Sequence, residues 1–101
     1  MKDTLGILVT SDKHLEYVIS LTNAAYEKGK DVQIFFTGKS VFLTQLPDFA
    51  QLVGKARLSV CEASFRYQGL KGEVPGIKLD NFETQAKNAE LMENCTKYVV
   101  F

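Results

Sequence analysis

An α/β fold with a parallel sheet between helical layers is predicted by three features of this 101-residue chain. Short apolar runs rich in β-branched and aromatic residues alternate with segments whose apolar positions recur at helical spacing. The runs are apolar on both alternate positions, as in strands covered on both faces. Strands that alternate with helices are joined by right-handed crossovers, which makes the sheet parallel. The expected architecture is a three-layer α/β/α sandwich of flavodoxin-like type, with four to five strands and one domain over residues 1–101.

The first strand is Thr4 to Thr10, followed by a polar break at Ser11-Asp12-Lys13. From His14 to Gly29 the period becomes helical, with Leu15, Val18, Ile19, Thr22 and Tyr26 on one face. Ser11 or Asp12 is placed to cap this helix, and Gly29 to end it in a left-handed conformation. Asp31 to Thr37 is the second strand. Gly38-Lys39-Ser40 breaks it, with Ser40 as a cap for a short helix from Val41 to Leu46. Pro47 opens another that runs to Gly54. Arg57 to Cys61 is the third strand and Ala63 to Leu70 a short helix. Residues 71–79 read as a turn-rich loop, with room for one short strand. Asp80 and Glu83 have the spacing of a capping box. The helix they open directs Phe82, Ala86, Ala89 and Met92 inward, and residues 96–101 form the last strand. The strand order is expected to begin 2-1-3, placing a switch point between strands one and three.

Composition narrows the function. Hydrophobic residues make up 46% and charged residues 24%, which excludes a disordered segment. Twelve basic and twelve acidic residues cancel, so the basic excess of a nucleic-acid binder is missing. No apolar run approaches the ~18 residues of a membrane helix, and no signal peptide is visible. A cytoplasmic protein is expected. Two cysteines, one histidine and no C-x-x-C leave no structural zinc pattern, and neither cofactor nor metal is expected.

Cys61 is the candidate catalytic residue. It ends a strand and precedes a helix, where free N–H groups favour thiolate over thiol. The alternative for such a residue is an inert, buried small hydrophobe. With strand order 2-1-3, Lys13 and His14 approach from the neighbouring strand end, adding positive potential and a proton carrier. Cys95 lies at the far end of the last helix. A five-residue strand spans roughly 15 Å, and a disulfide needs Cα atoms within about 7 Å, so a Cys61–Cys95 bridge is not expected. Gly38-Lys39-Ser40 lacks the first glycine of a phosphate loop, since position 33 is Gln. Cys61 and Arg66 stand one residue too close for the phosphatase C-x5-R cradle. The loop after the first strand does not suit flavin.

Ser59-Val60-Cys61-Glu62-Ala63-Ser64, followed by Gly69-Leu70, resembles the DsrE/DsrF-like family, which includes TusD-type sulfur-relay proteins. The early Ile7-Leu8-Val9-Thr10, the run from Ala25 to Phe36 and the terminal Tyr98-Val99-Val100-Phe101 resemble it too. The resemblance implies a flavodoxin-like fold, a homo-oligomer (trimer or hexamer), and a persulfide on the cysteine matching Cys61. That cysteine takes sulfane sulfur from a donor protein and passes it to an acceptor protein, as a sulfurtransferase-like carrier. Gln68-Gly69 departs from the Arg-Gly pair usual in the family. A reading of another class is a non-catalytic oligomeric module that binds a partner protein or small ligand. Phe42, Phe49 and Phe65 favour self-association, because a chain this short has little volume in which to hide them.

Overall fold

The computed structural model describes residues 3–101. Five strands form one all-parallel sheet: β1 (Thr4–Val9), β2 (Asp31–Phe36), β3 (Arg57–Cys61), β4 (Phe82–Glu83) and β5 (Lys97–Val100). Three α-helices accompany them: α1 (Leu15–Glu27), α2 (Glu62–Tyr67) and α3 (Gln85–Glu93). The flavodoxin-like α/β sandwich expected from the alternating periods is therefore present. Among the described residues no helix is long and apolar enough to cross a membrane.

The two sheet faces differ in chemistry. Ile7 pairs in register with Ile34, and Ile34 with Leu58. These residues, with Val9, Phe36 and Val60, point to one face and join Val18 of α1 and Phe65 of α2 in a continuous apolar core. Two 3₁₀ segments, Gly38–Gln45 and Pro47–Leu52, pack there too through Val41, Leu43, Phe49 and Leu52. The opposite face carries the intervening residues: Gly6 on β1, Gln33 and Phe35 on β2, Arg57, Ser59 and Cys61 on β3, and Glu83 on β4. This second face lies under α3.

The strand order is β4-β3-β2-β1-β5, not one beginning 2-1-3. β3 pairs with β2, and the edge of β1 expected to hold β3 holds β5. Gly6 accommodates this order. A methyl group there would lie 2.6 Å from the Met92 sulfur, 2.9 Å from the Cys95 sulfur and 3.2 Å from Tyr98 Cβ. The bare glycine thus lets the end of α3 cross tightly over β1, delivering β5 to the free edge of β1. The switch point then falls between β1 and β5.

Several local expectations are also corrected. Ser11 does not cap α1; its Oγ accepts the Lys13 N–H at 3.2 Å. The residue before α1 is His14, whose side chain makes no capping bond. Thr37 precedes the first 3₁₀ segment, and Ser40 serves from within it, its Oγ accepting the Thr37 N–H at 2.9 Å. The Asp80–Glu83 capping box is absent. Glu83 belongs to β4, and Thr84 caps α3 by accepting the Lys87 N–H at 3.1 Å. Ala86 and Ala89 face solvent, and the helix buries Asn88 instead. The left-handed end of α1 at Gly29 holds, with φ of 74° and its N–H on the Tyr26 carbonyl. Phe49 and Phe65 are buried within the chain's own core, while Phe42 is 38% exposed.

Gly6→Ala forces the Met92, Cys95 and Tyr98 side chains aside. Overpacking of this kind costs about 1–3 kcal/mol. The expected result is a lower urea midpoint with an unchanged slope, measured by circular dichroism. A midpoint at or above that of the parent chain would show that the crossing has room to spare.

Candidate functional site

Cys61 is the last residue of β3 and the residue before α2, as its place between an apolar run and a helical one implied. Its backbone is still extended, with φ −69° and ψ 115°, so its side chain can turn back onto the first turn of the helix. There Cys61 Sγ accepts the Ser64 N–H at 3.4 Å. Sulfur thus fills the capping role that Ser or Asp fills elsewhere. With only six residues, α2 has a small dipole, so the directed N–H bond matters more than the helix field.

Around this thiol the β2–β3 pairing assembles a shell of neutral donors. The Ser64 hydroxyl accepts the Gly38 N–H at 3.0 Å and lies 3.3 Å from the Thr37 hydroxyl. The Gln85 side-chain amide, from the first turn of α3, donates to Thr37 Oγ1. Thr37 follows β2, Ser64 sits in α2 and Gln85 in α3, so three elements meet at one sulfur.

Opposing forces set the acidity of that sulfur. Burial pushes the Cys61 thiol up, since a charge there loses water. Hydrogen bonds from the Ser64 side chain, the Ser64 backbone, Thr37 and Gln85 pull it down, and together they outweigh burial. The net result lies below the ordinary thiol range, and more thiolate exists near neutral pH than for an isolated cysteine. Cys95 shows the contrast. Burial pushes its thiol up. No disulfide joins Cys61 to Cys95, as expected for residues at opposite ends of the sheet.

Lys13 and His14 are not brought to Cys61. They follow β1, and β2 stands between β1 and β3. Two strand spacings amount to roughly 10 Å. The His14 ring lies against Tyr17 and Phe101, with ring centroids 5.8 and 6.4 Å away. The supporting groups are instead Ser64, Thr37 and Gln85, none of which sequence reasoning selected. Ser64 was legible: it stands three residues after a strand-ending cysteine, where the capped N–H belongs. Thr37 becomes legible only once β2 is known to neighbour β3, and Gln85 only once α3 is known to begin above them.

Two outcomes follow for the thiol. Alkylation rate against pH, resolved by peptide mass spectrometry, gives Cys61 a lower midpoint than Cys95. Ser64→Ala moves the Cys61 midpoint upward, because a donor to the thiolate is lost. It also strips the Gly38 N–H of its acceptor, at a cost of about 1 kcal/mol. A midpoint unmoved by Ser64→Ala would mean that the backbone N–H alone sets the acidity. No protein-family model and no curated protein matches this chain, so its chemistry is read from this thiol and its shell.

Proposed function

We propose that this chain is a persulfide carrier that accepts and passes on sulfane sulfur through Cys61. One observation supports the reading above others: a thiol of depressed pKa held by directed neutral donors, at a strand end. The resemblance of Ser59 to Ser64 and Gly69-Leu70 to DsrE/DsrF-like proteins points the same way. In the reaction, the Cys61 thiolate attacks the outer sulfur of a donor protein's persulfide. A bond forms between Cys61 Sγ and that sulfur as the donor's S–S bond breaks. The donor cysteine leaves as a thiolate, so no external oxidant or reductant is consumed. The acceptor cysteine then repeats the step in the other direction. Ser64 and Thr37 keep the anionic sulfur solvated in a site with little water. The compartment that fits this chemistry is the reducing cytoplasm.

Incubation with a persulfide donor followed by intact-mass spectrometry tests the reading. The expected product carries one extra sulfur atom on Cys61, removable by a thiol reductant. Cys61→Ser abolishes the adduct and keeps the fold, the exchange being nearly isosteric. An adduct on Cys95 alone, or none, overturns the reading.

A homo-oligomer, a trimer or hexamer, belongs to the same proposal. Tyr98 and Val100 of β5 are 58% and 57% exposed and Leu79 is 71% exposed, apolar surface that a neighbouring copy would cover. Light scattering at micromolar concentration gives a multiple of the 11.3 kDa chain mass, and a value equal to that mass overturns the oligomer. An assembly module without chemistry would give the multiple and no adduct.

A further inference from the structure

We propose that the start of α3 is a lid over the Cys61 thiol, latched by the hydrogen bond from the Gln85 amide to Thr37. The inference rests on Cys61 being the working thiol and concerns how that thiol is reached. Cys61 leaves only 3% of its surface to solvent, while a sulfur-to-sulfur transfer needs direct approach by a second sulfur. The cover is the chain leading into α3. Glu83 is the register partner of Cys61 on β4, and Thr84 and Gln85 continue from it across the strand ends. Gln85 then bonds to Thr37 on the far side of the thiol.

The seat of the helix is loosely fastened. Asn88, a buried residue of α3, has an unpartnered Oδ1. Gln33 Oε1, Arg57 Nη1 and Glu83 Oε2, on the sheet face below, are unpartnered as well. Every buried polar group without a partner favours the separated state, in which water reaches it. The helix itself is well made: Thr84 accepts the Lys87 N–H with its side chain and the Asn88 N–H with its carbonyl. Lifting at Thr84 and Gln85 therefore leaves α3 helical and Glu83 on Arg57, and the bond it breaks is the latch. Gln85 is exposed, so it can let go without disturbing the core.

Iodoacetamide labelling of Cys61, mapped by mass spectrometry over a pH series, tests the latch. Above the thiol midpoint the rate reaches a plateau set by the open fraction and the thiolate's nucleophilicity. Gln85→Met keeps the length of the side chain and removes the donor; Gln85→Ala removes both. Losing a donor also raises the midpoint, and a more basic thiolate is faster by about threefold per pH unit. That share is subtracted using the midpoint from the same profile. Beyond it, the plateau rises about threefold to tenfold in both variants, the effect of one hydrogen bond of ordinary net strength on an opening equilibrium. A corrected plateau unchanged in Gln85→Met overturns the latch. The labelling involves no persulfide, so failure of sulfur loading and failure of the latch are read separately.

Discussion

Pairing on both edges of β1 is the constraint from which the rest of the molecule follows. β2 occupies one edge in full register and β5 the other. β3 takes the outer edge of β2, and α3 crosses the second sheet face on the way to β5. Gly6 makes the route possible by keeping the crossing clear of side chain. Two consequences reach the site. β3 beside β2 puts Thr37 and Gly38 next to Cys61, and α3 on the second face puts Gln85 above it.

Site chemistry depends on a contest that neutral groups win. Among the described residues no lysine, arginine or histidine acts on the Cys61 sulfur, and burial alone would make it a poor nucleophile. Hydroxyls, an amide and a backbone N–H offset that penalty because they are already oriented by one another. Ser64 is the hub: its N–H faces the sulfur, and its hydroxyl is tied to Gly38 and Thr37. Such a shell stabilises an anion without attracting distant anions, which suits a chain with zero formal charge.

Local signals in the sequence carried the strands, the first helix and Cys61, because period and capping depend on residues a few positions apart. Leu15, Val18, Ile19 and Thr22 bury together as their spacing requires. What local signals could not carry was the choice of neighbour for β3. Nothing within Arg57–Cys61 marks β2 over β1 as its partner, and Gly6, which accommodates the crossing of α3, lies fifty positions and more away in sequence. The misplacement of Lys13 and His14 followed from that one choice. The α3 error has a separate cause. Ala86 and Ala89 suggest an inward stripe, but the sheet face below α3 carries Gln33, Arg57, Ser59 and Glu83, and a polar floor selects Asn88.

The division of labour between the two sheet faces explains how so small a chain carries both stability and an activated thiol. The face toward α1 and α2 is closed by aliphatic and aromatic side chains that need no partners. The other face holds the ion pair between Arg57 and Glu83 at 2.7 Å, with the Glu83 side chain 6% exposed. Taking Arg57 away would leave a buried carboxylate unpaired, so directed bonds hold the strand-end part of this face. Directed bonds can be exchanged one at a time, whereas an apolar core opens only as a whole. On the proposed reading a thiol that is shielded, yet reached, belongs on the polar face, at the strand end where α3 begins.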